Sequence, residues 1–167
     1  CLSLTLVACT KAEELTTFTI DYDTEVTIAS STGISLPFEV MTPPMESNSE
    51  TEFENNDTRT DLIESVNLSE LDLTITSPSS GNFDFLNEIY IYINADGLDE
   101  VQLASNANIP NGSGQKITLE TTGAELMEFI KKDKFSLRVK TVTDESIETD
   151  HKINIHTVFS VRAGLIN

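Results

Sequence analysis

Two histidines are present, His151 and His156, and Asp150 sits beside the first. Histidine and carboxylate side chains are the commonest general acids and bases and the commonest metal ligands, so their spacing comes first. On a strand, a separation of five residues places the two rings on opposite faces, where they cannot converge on one metal ion. The expectation is therefore exposed loop or strand histidines and no metal centre built on the pair. Asp21 and Asp23 share a strand face with Glu25, an arrangement that a hydrolase with paired carboxylates could use. In a chain with 28 acidic residues such pairs also arise by chance, and a solvated face is the simpler reading. The segment from Asn94 to Glu100 gathers oxygen ligands around a turn, with Asp96 and Asp99 as the weak candidates for calcium. It is too short and irregular for an EF-hand loop, and an Asp-Gly hairpin turn accounts for it. No HExxH, GxSxG or glycine-rich phosphate loop occurs.

Two further groups could bind a partner. Tyr90 and Tyr92 stand on the face opposite Ile89, Ile91 and Ile93. A strand apolar on both faces is usually covered on both sides, with Phe83 and Phe85 as candidate lids. Left exposed, the two rings would make a platform for sugar rings or a protein. Lys131, Lys132, Lys134, Arg138 and Lys140 supply half of the ten bases within ten residues. That cluster either meets an acidic partner or lipid headgroups, or is neutralised by acidic strands of the same domain.

Elements to position these residues are legible as alternation. Phe18, Ile20, Tyr22, Val26 and Ile28 alternate with polar neighbours. So do Ile34, Leu36, Phe38 and Val40, then Leu71, Leu73 and Ile75, then Ile89, Ile91 and Ile93. Val101 with Leu103, and Ile117 with Leu119, make shorter runs. Phe135, Leu137 and Val139 follow, and Ile153, Ile155, Phe159 and Val161 close the series. Apolar-in, polar-out alternation is the mark of antiparallel strands over one core. The expected fold is all-β: an antiparallel, immunoglobulin-like β-sandwich of seven to nine strands with one short helix in a connection. Thr122 and Glu125 have capping-box spacing ahead of Leu126, Phe129 and Ile130, which predicts that helix. Glu46 to Thr60 is polar and reads as a long loop or an edge hairpin, with a helical turn near Thr60 to Ser65.

The net charge is −18. Such a surface repels phosphate backbones, so nucleic acid is excluded as a partner. Only Cys1 and Cys9 occur, and no cofactor is implied. Leu2, Leu4, Leu6, Val7 and Ala8 form an apolar run too short to span a bilayer. It ends in Leu6-Val7-Ala8-Cys9, which resembles the lipobox of bacterial lipoproteins. In that family the signal peptide is cut before the cysteine, which is then acylated. The acidic pair Glu13-Glu14 after Lys11 and Ala12 resembles the surface-export signal of Bacteroidota lipoproteins. The resemblance implies a signal-peptide remnant over 1–8 and a lipidated tether over 9–17, and the length that remains suits one folded domain over 18–167. The resemblance also implies an outer-membrane protein anchored through Cys9 and displayed at the cell surface. The expected function is non-enzymatic: a binding or accessory component of an envelope protein assembly. The alternatives are a carbohydrate- or calcium-dependent adhesion module, and a hydrolase using Asp21 and Asp23.

Overall fold

The computed structural model describes residues 14–30, 37–143 and 145–166. Cys9 and its flanking motif lie outside them, as do Ile34 and Leu36. Ten strands form: β1 (Leu15–Ile28), β2 (Pro37–Met41), β3 (Met45–Glu46), β4 (Ile63–Ser77), β5 (Leu86–Asn94), β6 (Val101–Asn106), β7 (Lys116–Thr118), β8 (Glu120–Thr121), β9 (Lys134–Thr143) and β10 (His151–Gly164). Two short helices join them, α1 (Ser49–Asn55) and α2 (Met127–Ile130). β1 begins at Leu15, so the last residues assigned to the tether already belong to a sheet.

The antiparallel β-sandwich expected from the alternation is what the chain forms. One sheet runs β1-β10-β4-β7, and the other runs β2-β9-β5-β6-β8 with β3 also on β9. The pairing is nested: the first strand pairs with the last, β2 with β9, β4 with β7 and β5 with β6. That connectivity is a jelly roll's. It refines the immunoglobulin-like detail, because an immunoglobulin domain places its first and last strands in different sheets.

Inward-facing residues of the two sheets make a single core. Ile20, Leu73, Ile155 and Phe159 come from one sheet, and Ile89, Ile91, Leu137 and Val139 from the other. Three rings lock the layers together. Tyr22 meets Phe135 edge-on at 5.0 Å and Phe159 at 5.7 Å, and Phe135 meets Phe159 at 6.1 Å. Phe135 belongs to the second sheet, so the cluster spans the sandwich. The Tyr22 hydroxyl donates to the Ser47 carbonyl at 2.6 Å, and burial holds its pKa well above the ordinary tyrosine value.

β4 is longer than its alternation suggests. Leu68 pairs with Phe159 and Glu70 with Val158, which leaves Ser69 as an extra residue. This bulge changes the phase of the strand, so Val66 and Leu68 face inward along with Leu71, Leu73 and Ile75. The strand starts at Ile63, straight after a 3₁₀ turn at Thr60–Leu62.

The expected helix after Thr122 is one turn only, and its cap differs from the capping box. Gly123, at φ +71°, turns the chain. The Thr122 hydroxyl donates to the Gln102 carbonyl at 2.8 Å and reaches the Ala124 amide only at 3.4 Å. The Glu125 carboxylate accepts from three amides: Val66 at 2.8 Å, Met127 at 3.0 Å and Leu126 at 3.1 Å. One side chain thus caps the turn and satisfies a buried residue of β4. Glu125→Ala should lower stability by about 1–3 kcal/mol, the cost of leaving such donors unmet. Glu125→Gln, which keeps an acceptor oxygen, should recover most of it in a urea titration. Equal stability of Glu125→Ala and wild type would refute the capping role.

Glu46 to Thr60 holds β3 and α1 rather than a loop or an edge hairpin. Its one large apolar residue, Phe53, is fully buried and meets Phe18 edge-on at 6.3 Å. The Thr58 hydroxyl, also buried, donates to the Gly164 carbonyl at 2.6 Å and ties the segment to the end of β10.

Candidate functional site

The outer face of the six-stranded sheet carries the densest set of sequence-predicted binding residues. Tyr90 lies opposite Lys140 and Tyr92 opposite Arg138 in the β5–β9 register. On the other side of β9, Lys140 faces Glu39 and Arg138 faces Met41. On the other side of β5, Tyr92 faces Gln102 and Tyr90 faces Ser105. Two groups proposed separately from sequence, the tyrosine pair and part of the basic cluster, therefore form one patch.

Arg138 organises this patch. Its guanidinium carbon lies 4.3 Å from the centre of the Tyr92 ring, a cation–π contact. Its Nε donates to Glu100 at 2.9 Å, with a second bond from Nη2 to the same carboxylate, and Nη1 pairs with Glu39 at 2.9 Å. Those contacts hold the guanidinium pKa even higher than usual. The Arg138 hydrogen bonds, joined by one from Asn94 at 2.6 Å, hold the Glu100 carboxyl below its ordinary range against partial burial. Beside them the Tyr90 hydroxyl donates to Glu88 at 2.9 Å, which raises its pKa. Both tyrosines are half-buried, and Met41 beside Arg138 is 50% exposed. Phe83 and Phe85 do not cover the tyrosines. Both belong to the core, in a 3₁₀ turn ahead of β5, and Phe85 packs on His151 across the sandwich.

The rest of the basic cluster is spread out. Lys131 pairs with Glu128 at 3.7 Å and Lys134 with Glu46 at 2.8 Å. Both line an open polar cleft of about 410 Å³ between the start of α1 and the corner ahead of β9, together with Ser47, Ser49 and Asp133. Among the described residues, Lys132 and Lys140 enter no ion pair, so three of the five bases are neutralised within the domain. Asp96 and Asp99 are exposed in the β5–β6 turn, where Gly97 takes φ +74°. The Leu98 amide closes that turn on the Ala95 carbonyl at 3.2 Å.

The two histidines lie on opposite faces of β10, as the odd spacing requires. His151 is buried rather than exposed. Its ring lies 4.6 Å from Phe85, with Nδ1 2.9 Å from the Thr149 carbonyl. His156 faces outward on the four-stranded sheet and meets a group the sequence reading did not give it. It lies opposite Asp23 of β1, with Nδ1 3.1 Å from Oδ1. Asn154 donates to the same Asp23 oxygen at 2.9 Å. These two bonds, Asn154's the larger in effect, hold the Asp23 carboxyl below the usual range. On its other side His156 faces Asp72. Asp72 is partly desolvated, yet its carboxyl is also held low by the Lys116 ammonium at 2.6 Å and the Thr118 hydroxyl. The pairing of first and last strands creates this row, and no local pattern near Asp23 or His156 announces it. Glu25, third of the acidic series, is engaged by Lys152 at 3.8 Å and by the Thr76 hydroxyl at 3.1 Å.

No helix among the described residues is long and apolar enough to cross a membrane, which bears on neither a lipid anchor nor a β-barrel. No family model matches the sequence, and no curated protein matches it. Among solved structures, the chain is similar to the capsid protein of BFDV in its decameric form, at 9% identity and a TM-score of 0.43, over 90% of this chain and 99% of that one. It is also similar to a chain of Desmodium yellow mottle tymovirus, at 12% identity and a TM-score of 0.27, over 91% of each. At these values the likenesses carry no argument about function.

Proposed function

We propose that this chain is a non-enzymatic binding domain, held on the outer membrane by lipid at Cys9, and that it serves as a binding or accessory component of an envelope protein assembly. One observation carries the binding part: Tyr90, Tyr92, Arg138 and Lys140 share one outward patch on paired strands, with Met41 exposed at its edge. Tyrosine, arginine and methionine are the residues enriched at the centres of protein interfaces. Arg138 is fixed by Tyr92, Glu39 and Glu100 before any partner arrives, so little side-chain entropy is lost on docking. The lipid part rests on the likeness of Leu6-Val7-Ala8-Cys9 to a lipobox. The strongly acidic surface disfavours nucleic acid as the partner.

A second reading, a carbohydrate-binding module, draws on the same patch. Tyr90 and Tyr92 project from one face of β5 two residues apart, about 7 Å along the strand. Rings so placed can stack on successive sugar units.

The test has two arms. Cys9→Ala should abolish labelling of the precursor by a fatty-acid probe, and unchanged labelling would overturn the anchor. Tyr92→Ala combined with Arg138→Ala should reduce capture of the partner from detergent-solubilised envelopes by more than about tenfold, the scale of a lost interface anchor. Reversing Lys131 and Lys134 to Glu should change capture little, since both line the cleft beside α1 and not the tyrosine patch. Capture unaffected by the Tyr92 and Arg138 changes would remove this face from consideration. Binding to a glycan array, lost in the same double variant, would transfer the patch to the carbohydrate reading.

A further inference from the structure

We propose that Asp21, Asp23 and His156 form a binding site for a divalent transition-metal cation of the zinc class, on the outer face of the four-stranded sheet. The inference stands apart from the tyrosine–arginine patch, which lies on the other sheet. One donor atom from each of the three side chains lies within 4.8 Å of the other two. The His156 Nδ1 to Asp23 Oδ1 separation is 3.1 Å. Two ligands bound side by side to a zinc ion, each about 2.1 Å from it, sit about 3–3.5 Å apart. The nitrogen–oxygen spacing of such a site is therefore already present, held by a hydrogen bond whose proton the ion would displace to solvent. Asp21 projects from the same face two residues before Asp23, and its carboxylate is the third donor within that reach.

The supporting scaffold is rigid where it matters. Asp23 and His156 are directly opposite on β1 and β10, which pair without a break from Leu15↔Gly164 to Ile28↔His151. Asn154, two residues before His156 on the same face, holds the Asp23 carboxylate from the side at 2.9 Å. Outer partners of this kind fix the orientation of metal ligands.

Charge makes the same point. The bases of this sheet are committed elsewhere: Lys116 to Asp72, Lys152 to Glu25 and Arg162 to Glu64. Among the described residues, no lysine or arginine pairs with Asp21 or Asp23. Among the acids facing this side, Asp21 and Asp23 thus stand without a lysine or arginine beside an imidazole, with Glu70 on β4 adding to the negative field. A dication balances the two carboxylates. The ring nitrogen selects among dications: calcium and magnesium take oxygen shells, whereas imidazole with carboxylates suits zinc, cobalt or nickel. Three protein ligands on an open strand face leave the remaining positions to water. Bound there, the ion would clasp the edge strand β1 to β10.

The experiment titrates zinc chloride into the purified full chain by calorimetry, with calcium chloride run in parallel. Saturable uptake of zinc in equimolar amount is expected, and calcium should not reproduce it. The His156 ring protons should shift or broaden with zinc in the wild-type spectrum while those of His151 stay put, a readout that needs no variant. His156→Gln and Asp23→Asn should each weaken uptake by more than roughly tenfold, since loss of an outer partner alone costs about 10–100-fold. Asp96→Asn should leave it unchanged. Absence of saturable uptake would overturn the proposal, as would uptake that survives His156→Gln or calcium binding as well as zinc. If His156→Gln fails to fold, the wild-type ring resonances and Asp21→Asn decide the matter.

Discussion

Phe159→Ala is expected to destabilise the domain by about 3–5 kcal/mol, the range for removing a buried aromatic ring from a close-packed core. Phe159 is fully buried at the middle of β10, between β1 and β4. Its ring touches Tyr22 and Phe135 edge-on, so truncation also removes two aromatic contacts, each worth about 0.5–1.5 kcal/mol beyond area burial. The loss falls on both sheets at once, because Phe135 lies across the sandwich. A urea titration of the variant measures it through the shift in midpoint at constant slope. Phe159→Leu, which retains most of the volume, should cost distinctly less. A loss below about 1 kcal/mol for the alanine variant would mean that the ring does not hold the layers together.

Phe53→Ala should have the second largest effect, again about 3–5 kcal/mol. α1 has seven residues, far fewer than an isolated helix needs in water. It carries Glu50 and Glu52 in its first turn, no base in its last, and no side-chain cap at Asn48. Its attachment is the Phe53 ring against Phe18, with the Phe53 carbonyl accepting from the Thr58 amide at 3.0 Å. Amide exchange over residues 49–58 should therefore rise before the sheets open, as expected of a locally weaker unit. Uniform exchange across the chain, with a small loss of stability, would show that α1 is held some other way.

The strand faces were legible because alternation reports burial directly. Leu73, Ile91, Leu137 and Phe159, each at the centre of an alternating run, are all at 0% exposure. Alternation says nothing of which strands are neighbours, and the parts that were missed trace to that. Tyr92 beside Arg138 depends on the β5–β9 register, and Asp23 beside His156 on the pairing of β1 with β10. Ser69 hid the first half of β4, since an unpaired residue reverses the phase of an otherwise regular strand. α1 shows no helical stripe in the sequence, because Phe53 is its one large apolar residue. Thr122 and Glu125 had the right spacing for a capping box, but Glu125 is used by Val66, a residue far away in sequence. His151 is buried because the core extends to the very start of β10, where Phe85 meets it.

The nested strand order has a temporal consequence. β10 lies between β1 and β4, so neither of those long strands has its main neighbour until the last fourteen residues of the sheet are present. A chain that emerges N-terminus first must carry β1 unpaired on this side until β10 has been made. Contacts that join the two ends of a chain are the slowest to form, because the loop between them must close first. The regular Thr and Asp residues on the outward side of β1, at Thr17, Thr19, Asp21 and Asp23, suit that wait. Their charge and polarity discourage an exposed edge from joining another chain's edge before its own partner arrives.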